Sequence, residues 1–188
     1  MKLLNYYLAD GSRVFGLVEG DQVFNMTRAA EGRPEFASVG AWLRAGEPAL
    51  AEANRLREQL LQTPAESVPF AGLRQAPLVE LDARIFCVGL NYIDHAAENN
   101  LPAPPSPIFF SKLAAVVIPH QAGIPIPASS TQVDYEAEFA LVIGRRADRV
   151  SEAEARACIA GFTIMNDVTA RDMQVKDKQW FRSKNCNG

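Results

Sequence analysis

Asp134, Glu136 and Glu138 stand two residues apart in the segment Val133-Asp134-Tyr135-Glu136-Ala137-Glu138-Phe139-Ala140-Leu141-Val142-Ile143-Gly144. Its second half is a run of β-formers closed by glycine, which predicts a buried strand. Strand side chains alternate faces, so the three carboxylates share one face and Val133, Tyr135, Ala137 and Phe139 the other. Neighbours on such a face are about 6.6 Å apart. Two carboxylates at that spacing repel by about 2.5 kcal/mol at an effective dielectric of about 20. Water at an exposed strand end, basic partners, or a hard cation that takes oxygen ligands could offset this cost. His95 and Glu98 are three apart, so a helical turn would place them on one face. Asp167 closes another strand-like run, Gly161 to Asn166. A helical turn from Asp167 would stack Asp167, Arg171 and Gln174 on one face at i, i+4 and i+7. Lys112 and Tyr135 are candidates for lining the same pocket, but read equally well as a surface amine and a core aromatic.

The elements that must position these groups fall into two parts. Over residues 2–26, three short β-rich runs are separated by Asp10-Gly11-Ser12 and Glu19-Gly20-Asp21, which predicts a meander. Helices are expected over 38–46 and 47–62. In the second, Leu50, Ala53, Leu56, Leu60 and Leu61 recur at helical spacing. Pro64 and Pro69 break that pattern. Residues 1–76 therefore read as a small α+β N-terminal domain, and 77–188 as a β-rich domain that carries the chemistry. Strands are expected at Ile85 to Gly89, Ile108 to Ser111, Val116 to Ile118 and around Ile124 to Ile126. Ser151-Glu152-Ala153-Glu154 fits a capping box, opening a short helix to about Cys158. Many short strands with proline-rich connections favour a barrel, roll or sandwich over a parallel α/β sheet.

Composition narrows the function classes. The 188 residues are 48% hydrophobic and 22% charged, as in a soluble globular protein. A net charge of −3 and the absence of any basic run argue against nucleic acid or an anionic membrane as partner. Three cysteines in no recognisable spacing favour free thiols in a reducing compartment over disulfides or a zinc site. The apolar run at the N-terminus is too short for a signal peptide and no stretch could span a bilayer, so the cytoplasm is the expected location.

Taken in order, Val88-Gly89-Leu90-Asn91-Tyr92 with His95 and Glu98, Tyr135-Glu136-Ala137-Glu138, Asn166-Asp167-Val168-Thr169-Ala170-Arg171-Asp172 with Gln174, and Trp180 followed by Ser183-Lys184 resemble the fumarylacetoacetate hydrolase family. The resemblance covers residues 78–188, and residues 1–77 are similar to the small N-terminal domain of many bacterial members. It implies a mixed β-roll and a homodimer. It also implies a bound Mg2+, with Mn2+ or Ca2+ as alternatives, and a 2-oxo or 1,3-dicarbonyl acid as substrate. By the same resemblance Glu136, Glu138 and Asp167 would be the metal ligands. His95, supported by Glu98, would be the general base. Arg171 and Gln174 would hold the substrate, and Lys184 would stabilise an enolate or oxyanion. The expected reaction is hydrolysis of a C–C bond in an acylpyruvate. Isomerisation of a hydroxymuconate and decarboxylation of oxaloacetate are the alternatives. The sequence stops at Asn185-Cys186-Asn187-Gly188, where family members continue, so the roll is expected to be incomplete at its C-terminus. The rival from another class is a non-catalytic β-rich binding scaffold that keeps the acidic cluster.

Overall fold

The computed structural model describes residues 1–63, 66–98 and 102–186, the side chains of His95 and Glu98 excepted. The chain is α+β, as expected, and divides into two compact units. One comprises Met1–Glu80, Ile118–Ala122 and Phe139–Ile164; the other comprises Leu81–Val117, Gly123–Glu138 and Met165–Gly188. No helix among the described residues is long and apolar enough to cross a membrane.

The first unit opens with the expected meander, β1 (Lys2–Tyr7), β2 (Arg13–Glu19) and β3 (Gln22–Asn25). A short helix follows, α1 (Met26–Ala29), and then α2 (Val39–Ala45) and α3 (Glu47–Leu61). Two further strands, β4 (Ser67–Pro69) and β5 (Gln75–Ala76), complete an antiparallel sheet in the order β4-β3-β2-β1-β5. The sequence gives little sign of these two, because each is very short and Pro69 can join only at an edge. Strand alternation sends Phe15, Leu17 and Phe24 into a core with Phe36, Val39, Trp42, Ala49, Ala53, Leu56 and Leu60. Leu4, Tyr6, Val14, Val18 and Val23 pack on the opposite face with Phe70 and Leu73. Gly16 makes that packing possible: a Cβ there would lie 2.9 Å from Val23 and 3.0 Å from Tyr6. In α3 the apolar stripe is narrower than expected, since Ala49 takes an inward place while Leu50 and Leu61 are exposed.

Two polar groups bind this unit together. Buried Asn5 donates to the Pro77 carbonyl at 2.9 Å and accepts from the Val39 amide at 2.9 Å. Glu80 accepts from Arg13 at 2.5 Å and from Ser38 at 2.6 Å. Burial pushes the Glu80 carboxyl up, but those two hydrogen bonds and the charge of Arg13 bring it below its ordinary value.

Further elements follow in chain order: β6 (Arg84–Gly89), α4 (Ile93–Glu98), β7 (Ile108–Leu113), β8 (Val133–Asp134), β9 (Ala137–Ile143), α5 (Glu152–Ala157), β10 (Ile159–Asn166), β11 (Thr169–Ala170), α6 (Arg171–Lys176) and α7 (Phe181–Lys184). The capping box is present: the Ser151 hydroxyl accepts from the Glu154 amide, and the Glu154 carboxylate accepts from the Ser151 amide. Four expectations need correction. Ala114–Val116 is a 3-10 turn rather than the start of a strand, and Ile124 to Ile126 has no regular structure. Pro119, Pro125 and Pro127 remove the donors that a ladder there would need. The acidic strand is also not continuous. It changes partner at Tyr135–Glu136, with β8 pairing to β11 and β9 to β10. Finally, the apolar half of that strand is not buried on both faces. Phe139, Leu141 and Ile143 are exposed, and Phe139 stacks on Phe162 of β10 with ring centroids 5.2 Å apart.

Candidate active site

The second unit carries most of the candidate residues. The break between β8 and β9 is built into its hydrogen bonding. Glu136 donates its amide to Asn166 Oδ1 at 3.1 Å, and its carbonyl accepts from the Asp167 amide at 2.8 Å. Glu136 and Asp167 are thereby tied side by side at the ends of two strands. The chain leaves Asp167 through β11, so the helix starts at Arg171 rather than at Asp167. The expected i, i+4, i+7 stack is therefore replaced by a strand-end aspartate followed by a helix whose Arg171 and Gln174 are three apart. These two meet: Arg171 Nη1 donates to Gln174 Oε1 at 3.0 Å.

Lys184 sits at the centre of the cluster. Its ammonium lies 2.6 Å from Glu136 Oε2 and 2.9 Å from Asp167 Oδ2, and only 2% of its side chain is exposed. The ammonium also rests 4.9 Å from the centroid of the Phe110 ring, and Phe110 packs edge-on against Trp180 at 5.6 Å. Trp180 in turn fills the space beside Gly89, where a Cβ would come within 2.5 Å of the indole. The glycine of the Gly-Leu-Asn-Tyr run is thus needed for close approach. Leu90 after it has φ 53, a left-handed conformation that is rare for a leucine. This strained turn leads into Tyr92 and α4.

Arg171 is held from two sides. Its Nε and Nη2 lie 3.0 and 2.9 Å from Asp134 Oδ2, and Nη1 lies 2.7 Å from Glu136 Oε1. Thr169 Oγ1 lies 3.2 Å from that same Glu136 oxygen. Asp134, which strand alternation places with the acidic face, thus serves to anchor Arg171. Asp172 turns away to accept from Ser130 at 2.6 Å.

Lys112 is the residue that sequence reasoning undervalued. It is buried, and its Nζ lies 2.8 Å from Asp167 Oδ1. Strand alternation carries a usable signal: Lys112 shares the inward face of β7 with Phe110, and a charge placed there needs a partner. Tyr135, in contrast, is exposed rather than a core aromatic.

Glu138 completes the acidic set. Burial raises its carboxyl above the ordinary value, a hydrogen bond from Tyr92 opposes this, and the charges of Glu136 and Asp167 push it further up. The three carboxylates therefore feel one another. Among the described residues, however, no three acidic, histidine or cysteine side chains are drawn together closely enough to hold a metal ion. Lys184 stands between two of them, and basic partners offset the repulsion. The donor set still suits a hard cation, because every candidate ligand is a carboxylate oxygen. His95 and Glu98 lie on α4, which is helical as expected; their side chains lie outside the described residues.

Comparison with known proteins agrees with the family resemblance. The sequence model of the fumarylacetoacetate (FAA) hydrolase C-terminal domain matches residues 84–188. The human mitochondrial oxaloacetate tautomerase FAHD2A is 40% identical over 146 residues, which is 76% of this chain and 45% of that protein. Among solved structures, 5-carboxymethyl-2-hydroxymuconate delta-isomerase from Mycobacterium smegmatis is 31% identical with a TM-score of 0.68, covering 100% of this chain and 62% of that one. The 2-hydroxyhepta-2,4-diene-1,7-dioate isomerase from Mycobacterium marinum is 29% identical with a TM-score of 0.68, and the match again covers 100% of this chain and 62% of that one. The chain thus spans half or less of the curated relatives it matches. With its motifs in order, its fold shared along the whole length, and the domain match over 84–188, this chain belongs to the fumarylacetoacetate hydrolase family, whose named relatives here are enzymes.

Proposed function

We propose that this chain carries the site of a divalent-cation-assisted enzyme that moves a proton at the carbon beside the oxo group of a 2-oxo acid. The observation that supports this best is the buried cluster in which Asp167 lies between Lys112 and Lys184, while Glu136 is shared by Lys184 and Arg171. An enolate needs positive charge fixed where its oxygen develops. Preorganised charges in a water-poor site are worth most at that point. The relatives' names lean the same way, one being an oxaloacetate tautomerase and two being isomerases of unsaturated dioates.

In this reading Glu136, Glu138 and Asp167 would hold Mg2+, with Mn2+ or Ca2+ as alternative occupants. Such an ion, when bound, supplies Lewis-acid polarisation of the substrate's oxo group. The protein does the rest. Arg171, anchored by Asp134 and Gln174, offers its planar guanidinium to the substrate carboxylate. Lys184 stabilises negative charge on the enolate oxygen. His95, supported by Glu98, takes the proton from the adjacent carbon and returns it at the product position. Hydrolysis of a C–C bond in an acylpyruvate is the second reading, favoured by the name of the matching domain. It uses the same cations and asks His95 to activate a water instead. The family resemblance also implies a homodimer, which sedimentation velocity would read directly.

A panel assayed with Mg2+ separates these readings. Enol–keto conversion of oxaloacetate or isomerisation of a hydroxymuconate, with slower acylpyruvate cleavage, is the expected result. Cleavage as the fastest reaction would favour hydrolysis. Activity on none would support the non-catalytic scaffold.

A further inference from the structure

Lys112 is given no substrate contact in the reaction just described, yet its side chain is only 7% exposed. Its ammonium lies 2.8 Å from Asp167 Oδ1 and donates to the Val168 carbonyl at 3.2 Å and to the Lys184 carbonyl. Asp167 Oδ2 takes Lys184 at 2.9 Å, so the buried carboxylate meets an ammonium at each oxygen. Lys112 therefore does two things at once. It ties the strand β7 to the backbone on either side of the acidic cluster, at Val168 and at Lys184. It also places an opposite charge against a carboxylate buried away from water, where an unpaired one is costly.

On the reading of Asp167 as a ligand of the divalent ion, on which this step rests, we propose that Lys112 is a positioning residue that acts as the resident counter-cation of Asp167. It holds the carboxylate in place without a divalent ion, and by charge repulsion it holds the affinity for that ion down. A fixed positive charge within a few ångströms of a doubly positive ion opposes its entry whatever the exact coordination. A protein built this way keeps its site intact when the ion leaves, and binds the ion more readily once an anionic substrate shifts the balance.

The test is a titration of the purified protein with Mn2+ by calorimetry, together with thermal unfolding in EDTA, for wild type, Lys112→Met and Lys112→Arg. Lys112→Met is expected to bind Mn2+ at least about tenfold more tightly. In EDTA it should melt about 10 °C lower than wild type and regain that loss when Mn2+ is added. Lys112→Arg, which keeps the charge, should stay near wild type in both. A folded Lys112→Met with unchanged or weaker Mn2+ binding, or with an unchanged melting point in EDTA, would overturn the proposal. If Lys112→Met does not fold, Lys112→Gln is read in the same way, and failure of both to fold even with Mn2+ present also counts against it. A wild-type protein that takes up no Mn2+ would remove the ion-ligand reading of the site. The EDTA melting curves would still decide whether Lys112 is the counter-charge of Asp167.

Discussion

Lys184→Met is expected to reduce turnover by about 100- to 1,000-fold, the usual loss when one preorganised charge at a developing oxyanion is removed. It is also expected to cost about 3–5 kcal/mol of stability, because breaking a buried ion pair leaves its partner charge without compensation. Here two partners lose a contact: Glu136 Oε2 and Asp167 Oδ2 both face this one ammonium. The methionine would fill much of the lysine's volume but lose the ammonium's contact with the Phe110 ring. Steady-state kinetics and chemical denaturation of the same preparation separate the two effects. Lys184→Arg should recover most of the stability but little of the rate, since the fork of a guanidinium does not reproduce a point charge. A Lys184→Met protein of ordinary stability and activity would contradict both parts.

The second large effect concerns the first unit. Phe15→Ala is expected to lower its stability by about 3–5 kcal/mol, the range for emptying a buried aromatic site. Phe15 is fully buried, with its ring centroid 6.2 Å from that of Phe36 and 5.9 Å from that of Trp42. These rings come from separate elements, a strand, a short turn and a helix, so the hole cannot close by a single side-chain shift. Urea unfolding followed by tryptophan fluorescence should show a lower midpoint with little change in slope. An unchanged midpoint would mean that the ring stack contributes nothing.

Much of this fold is legible from local rules. The meander follows from Asp-Gly and Gly-Asp turns, and α5 from its capping box. Those signals act within a few residues, so tertiary context has little to override. The rest depends on partners far along the chain. Nothing local shows that the acidic strand changes partner at Tyr135–Glu136, because the cause is a hydrogen bond to Asn166, thirty residues on. Isoleucines 124 and 126 look like strand residues by propensity, but the prolines among them decide otherwise. The three-carboxylate face was visible, and so was the need for something to offset it. What the pattern could not apportion was that offset, because the cations come from β7, α6 and α7 and meet only after folding. Lys112 was the available clue, a lone charge on the inward face of an apolar strand.

The most direct measurement of the central claim is deuterium exchange at the carbon beside the oxo group of a 2-oxo dicarboxylic acid, followed by NMR in deuterated buffer. The account predicts that the wild-type protein with Mg2+ speeds this exchange well above the buffer rate, and that Asp167→Asn or added EDTA removes the acceleration. Exchange no faster than in buffer, or an acceleration that survives both changes, would contradict it.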